Sequence, residues 1–180
     1  MSKAIDDLKH EHEAILSSLE TLDAMVDRAT KGAQLSPEDV RRFIGFLKEF
    51  ADKCHHGKEE GILFPTLVQA GMSERGGPIG VMLTEHTEGR RLIKDMEDAA
   101  VGSLAAERFA RAAQEYAALL RAHIQKENNV LFPAAERVLS PDALERISGR
   151  FEEHEEKVIG HGRHEELHAL LKELRRKYPA

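Results

Sequence analysis

The chain has 180 residues, 41% hydrophobic and 32% charged, with a formal net charge of -6 when histidine is neutral. That length suits one domain with a real core, and the acidic balance argues against nucleic acid or an anionic membrane as the main partner. The single cysteine, Cys54, excludes an internal disulfide and suits the cytoplasm; no apolar run approaches the about 20 residues of a membrane span, and Met1-Ser2-Lys3-Ala4-Ile5-Asp6-Asp7 turns acidic too early for a signal peptide.

Apolar residues follow helical spacing throughout, and no strand alternation appears. Ile5, Leu8, Ile15, Leu16, Leu19, Leu22 and Val26 form the stripe of a first helix over residues 3–30. Ser36-Pro37-Glu38-Asp39 supplies an N-cap, a first-turn proline and acidic first-turn residues. It opens a second helix through Phe43, Ile44, Leu47 and Phe50 that is expected to stop near Gly71, with Pro65 kinking or ending it early. After a loop at 71–78, Ile79, Met82, Leu83, His86 and Ile93 mark a third helix, and a fourth runs from about Leu104 to Val138. Ser140-Pro141-Asp142 caps a fifth, and Gly160 and Gly162 separate it from a last helix ending near Lys177. Long helices joined by short loops predict an all-α, antiparallel up-down four-helix bundle over 1–138, with a C-terminal helical extension over 139–180 packed on it.

Two segments repeat one pattern. His55-His56-Gly57-Lys58-Glu59-Glu60-Gly61-Ile62-Leu63-Phe64-Pro65 aligns on His123-Ile124-Gln125-Lys126-Glu127-Asn128-Asn129-Val130-Leu131-Phe132-Pro133. His55 falls on His123 and Glu59 on Glu127, so each helix carries His-x-x-x-Glu at the same distance before Leu-Phe-Pro. That repetition predicts a site with approximate two-fold symmetry.

Residues three, four and seven apart share a helix face. By that rule His12, His86 and His123 lie in apolar stripes, while His10, flanked by Asp6 and Glu13, faces water. Adjacent residues of an α-helix point about 100° apart, so His55 and His56 should not share a direction. His55 lies over Ala51 and Leu47, whereas His56 lies over Asp52, Glu49 and Lys48. His55 with Glu59 is therefore the expected inward pair, and His56 with Glu60 the fallback. Carboxylates buried beside neutral imidazoles are costly without a cation, and Arg90 is the main basic candidate on that face. His12, His55, Glu59, His86, His123 and Glu127 are accordingly the expected metal ligands. Nitrogen and oxygen donors without a thiolate set disfavour structural zinc and iron–sulfur clusters and suit iron or manganese, with two Glu able to bridge two ions.

The combined pattern H…HxxxE…H…HxxxE, with His12 followed by Ala14-Ile15-Leu16 and with Glu85-His86 in the third helix, resembles the hemerythrin-like (HHE cation-binding) family in its longer bacterial form. The resemblance covers residues 3–137 and implies a non-haem di-iron centre in a four-helix bundle. Oxygen-carrying hemerythrins use five histidines, including His-x-x-x-His on the third helix; here Met82 and Arg90 stand four either side of His86. That departure moves the expectation from reversible oxygen carriage toward binding or reacting with dioxygen, peroxide or nitric oxide. Catalase-like peroxide disproportionation and iron storage are the alternatives. Candidates for a further ligand are His56, Glu85, His154, His161 and His164. Tyr116, seven before His123, shares the inward stripe, and Cys54 reads as a small core filler. His161, His164 and His168 with Glu165 and Glu166 have the spacing of a secondary site, but a charged helix packing a leucine stripe on the bundle is the favoured reading.

Overall fold

Serine side chains start three of the helices. Ser2 Oγ accepts from Ile5 N (3.4 Å), Ser36 Oγ from Asp39 N (3.3 Å) and Ser140 Oγ from Ala143 N (3.2 Å), so in each case a first-turn N–H that has no helical partner finds one. The computed structural model describes residues 2–160 and 162–179. Among the described residues it contains six helices and no strand. Helix α1 is Lys3–Thr30. Helix α2 runs unbroken over 37–69, as Pro37–Phe46, Leu47–His56, Glu59–Leu63 and Phe64–Gln69 in sequence. Helix α3 is Pro78–Ala99, and α4 covers 106–138 as Ala106–Lys126, Glu127–Leu131 and Phe132–Val138. Helices α5, Pro141–Val158, and α6, Arg163–Lys177, follow.

The first four helices form the antiparallel bundle: α4 packs along α1 and α3, and α2 closes the ring against α1 and α3. Helix α5 lies against α1 and the middle of α2, and α6 against α1 and the start of α2. The α5–α6 connection turns through Gly160 (φ 93°) and Gly162 (φ 77°), a left-handed conformation open to glycine at little cost. The leucine stripe of α6, Leu167, Leu171 and Leu174, is buried in the core.

Three departures from regular α geometry matter for the site. Leu47–His56 and Glu59–Leu63 in α2, and Glu127–Leu131 in α4, are wound as π-helix. Each repeated His-x-x-x-Glu…Leu-Phe-Pro segment thus contains the same π turn. Winding with i→i+5 bonds releases carbonyls that a following proline would otherwise meet. This is why α2 continues through Pro65 to Gln69 instead of ending there, and why α4 continues through Pro133. Released carbonyls find partners on α5: His154 Nε2 donates to Lys53 O (3.1 Å) and Arg150 reaches Gly61 O (3.5 Å). Gly57 admits this approach, since a Cβ there would stand 2.8 Å from His154 Nε2.

The apolar core falls into two clusters along the bundle axis. One contains Ile15, Leu19, Ala51, Leu92, Tyr116 and Leu120; the other contains Leu8, Ile62, Leu63, Met82, Leu131 and Phe132. On α1, α2 and α3 the step from one cluster to the other crosses a histidine, and on α4, from Ile124 to Leu131, it crosses Glu127. A polar layer therefore lies between two dry layers.

Candidate metal centre

Each helix brings its histidine to that layer from an apolar face. His12, His55, His86 and His123 are each 1% exposed, and Glu59 and Glu127 are fully buried. The six side chains expected as ligands are brought together. His12 Nε2 lies 3.0 Å from His55 Nε2, and His86 Nε2 lies 3.1 Å from His123 Nε2. Two donors at right angles around one ion, each about 2.1 Å from it, would stand about 3.0 Å apart.

The carboxylates straddle these two pairs. Glu127 Oε2 is 3.1 Å from His12 Nε2 and 3.2 Å from His123 Nε2. Glu59 Oε1 is 3.8 Å from His55 Nε2, and its Oε2 is 3.4 Å from His86 Nε2. None of the four carboxylate oxygens has an aligned hydrogen bond. Arg90 does not relieve them; it pairs with Asp52 and Glu60, 2.7 Å from each. Burial, followed by the neighbouring Glu127 charge, pushes the Glu59 carboxyl well above the usual range. Leaving such groups uncompensated costs several kcal/mol per ion, so the donor set fits a bound cation.

His56 corrects the helical-face reading. It is 3% exposed, not turned to water, and stacks on His86 with ring centroids 3.8 Å apart. The reason is the π winding of Leu47–His56, which turns the chain less per residue than an α-helix and lets neighbours share a side. Both ring nitrogens of His56 are buried without hydrogen-bond partners. Glu60, by contrast, is half-buried and turned outward. Two overlapping groups of donor atoms result, each within 4.8 Å: His12, His55, Glu59 and Glu127, and His56, Glu59, His86 and His123. Burial lowers His55 to about 4 and His56 well below the ordinary imidazole value, keeping both neutral as ligation requires.

Outside this cage a ring of hydrogen bonds orients the imidazoles. Glu11 on α1 accepts from His55 Nδ1 on α2 (2.8 Å), and Glu60 on α2 accepts from His86 Nδ1 on α3 (2.7 Å). Glu85 on α3 accepts from His123 Nδ1 on α4 (2.9 Å), and Asn128 on α4 accepts from His12 Nδ1 on α1 (2.9 Å). Each helix anchors the next one's histidine with a residue adjacent to its own inward-facing side chain. Donation from Nδ1 fixes the tautomer that leaves the Nε2 lone pair facing the centre. The three carboxylates each hold a cation: Glu11 takes Lys58 Nζ (2.5 Å), Glu60 takes Arg90, and Glu85 takes Lys126. Burial works to raise the Glu11 carboxyl, but His55 and Lys58 outweigh it and hold it near 2.

The other candidates lie outside the cage. Glu85 points to the outer nitrogen of His123, His154 bonds a backbone carbonyl, and His164 sits 3.9 Å from Glu155 and against Phe50. His161 lies outside the described residues. His164 and His168 pack on one another, with ring centroids 4.7 Å apart, and each on Phe50, and no third donor joins them among the described residues. His10 is exposed beside Glu13, as its flanking charges suggested. Cys54 is buried, and burial pushes its thiol up to about 12, as befits a core filler. Tyr116 is buried with its hydroxyl unpartnered. The sequence pattern did not reveal the role of the repeated phenylalanines: Phe132 stacks on His12 (5.4 Å) and Phe64 on His86 (5.9 Å).

Comparison with known proteins agrees with this geometry. The hemerythrin HHE cation binding domain matches residues 3–135. An uncharacterized protein of Mycobacterium tuberculosis is 28% identical over 162 residues, 87% of this chain and 63% of its own length. The iron-sulfur cluster repair protein YtfE of Escherichia coli is 31% identical over 117 residues, 61% of this chain and 53% of its own. The chain thus spans a little over half to under two thirds of these relatives. No solved structure matches it. No helix among the described residues is long and apolar enough to cross a membrane. With a family match across most of its length and a buried His/Glu cage at the matching positions, the chain belongs to the hemerythrin HHE cation-binding family and is a His/Glu-ligated metal-binding protein.

Proposed function

We propose that the chain holds two iron ions in the polar layer and uses them to bind or react with small oxidants: dioxygen, peroxide or nitric oxide. The observation that carries this reading is the set of four buried carboxylate oxygens on Glu59 and Glu127 that lack an aligned hydrogen bond and are ringed by imidazole nitrogens. His12 and His55 would hold one ion, and His56, His86 and His123 the other, with Glu59 and Glu127, each facing both histidine groups, as carboxylate donors to the pair. Residues 1–138 carry the centre, and 139–180 brace it through α5. The cytoplasm is the expected compartment.

Mixed imidazole and carboxylate donors favour iron or manganese over zinc; the presence of an iron-handling relative, YtfE, favours iron. A pair of such ions supplies two-electron exchange with an oxidant. The protein's part is to hold the Nε2 lone pairs inward, to keep His55 and His56 neutral by burial and to exclude bulk water with Phe64 and Phe132. Storage fits less well, because the polar layer is closed by apolar clusters on both sides.

The test is iron loading without oxygen, followed by metal analysis, an oxygen electrode with added peroxide, and absorption spectra with nitric oxide. Two irons per chain, with peroxide consumption or a nitric-oxide-dependent spectrum lost in His123→Ala, support the reading. Folded protein that takes up neither iron nor manganese, or stores many irons per chain, overturns it.

A further inference from the structure

We propose that the two metal positions are unequal and that Asn128, as a positioning residue, makes them so: the ion on His12 and His55 is the weaker bound and leaves first. This rests on the two-ion reading above. The ring of outer hydrogen bonds carries the argument. The repeat that aligns His55-x-x-x-Glu59-Glu60 with His123-x-x-x-Glu127-Asn128 relates α2 to α4. The matching anchors on α1 and α3 are Glu11 and Glu85, both glutamate and both one residue before a cage histidine. The ring therefore obeys an approximate two-fold at every anchor but one, where Asn128 stands in place of a second Glu60.

The consequence is chemical. A carboxylate that accepts the outer N–H makes an imidazole a stronger donor, whereas a neutral amide does so less. Around the second position both anchored histidines, His86 and His123, donate to carboxylates, at 2.7 and 2.9 Å. Around the first, His55 donates to Glu11 but His12 donates to the Asn128 amide oxygen, at 2.8 and 2.9 Å. His56 adds a third imidazole to the second position alone. Both differences favour that position.

The experiment follows release of iron(II) from the anaerobically loaded, full-length protein to a coloured chelator in a stopped-flow instrument. Changing one such outer partner alters metal affinity about ten- to a hundredfold. The unmodified protein should release its two irons in separate phases, at least about tenfold apart on that scale. Asn128→Asp should slow the fast phase and draw the two together. Glu60→Gln should speed the slow phase instead. A role in folding alone would move both phases alike. Asn128 is partly exposed, and helical circular dichroism confirms that the variant folds. Coincident phases in the unmodified protein, a fast phase untouched by Asn128→Asp, or a slow phase untouched by Glu60→Gln overturns the inference. Uptake of fewer than two irons would instead overturn the reading on which it rests.

Discussion

Replacing His56 by phenylalanine should stabilise the metal-free protein while lowering its metal content. Both imidazole nitrogens of His56 are buried and make no hydrogen bond within the protein, and an unsatisfied buried polar group costs about 1–3 kcal/mol. Phenylalanine keeps a flat ring at the position, which stacks 3.8 Å from His86. It removes both polar atoms at the cost of some added bulk, which subtracts about 1 kcal/mol at the low end of overpacking. Two ring nitrogens at the low end of that range give about 2 kcal/mol, and the overpacking leaves a net gain of about 1 kcal/mol. In a chain of this size that corresponds to a rise of about 2–4 °C in melting temperature. Calorimetry on chelator-treated protein, paired with metal analysis after reloading, reads both quantities. A histidine retained for packing would give the opposite pattern. If His56→Phe melts lower than the unmodified metal-free protein and still binds both ions, the assignment of His56 to the cage is wrong.

Three further outcomes follow from the same structure. Removing the metal should lower the stability of the unmodified protein by about 4 kcal/mol per site, relative to free ion held a thousandfold above its dissociation constant, and lower its melting temperature with it; no shift on adding chelator would contradict a cation in the polar layer. Asp39 is buried, accepts from Tyr178 Oη (2.5 Å) and pairs with Lys177. Burial works to raise its carboxyl, but these partners and Arg42 outweigh it and lower it. A depressed folded value adds stability above the unfolded value near about 3.9, lost as pH falls through the folded one. Asp39→Asn should therefore cost about 1–3 kcal/mol near pH 7 in chemical denaturation, with the difference closing on acidification; a gap independent of pH would refute the pairing. Finally, His164→Ala and His168→Ala should leave iron per chain unchanged by metal analysis, because these rings pack on Phe50 away from the cage.

Most of the fold was legible in the sequence because helical periodicity and end signals are local. Serine caps at Ser36 and Ser140, the turn glycines Gly160 and Gly162, and the apolar stripes set the helix ends to within a few residues of those observed. The same periodicity turned His12, His86 and His123 inward, since a core face is a property of one helix.

Two things needed the tertiary structure. The first is the π winding of α2. It exchanges regular hydrogen bonds for an inward-facing His56 and a passage through Pro65, and it is braced by His154 and Arg150 from α5, a helix far along the chain. A rule that assumes a fixed turn per residue cannot register that. The second is the ring from Glu11 through Glu60, Glu85 and Asn128, in which each bond joins neighbouring helices. Glu11, Glu60 and Asn128 look like surface residues beside more obvious ones, and only the rotation of one helix against the next decides which imidazole each anchors. Amphipathic spacing says which side of a helix is dry; what two dry sides do on meeting depends on how the helices are turned and set against one another.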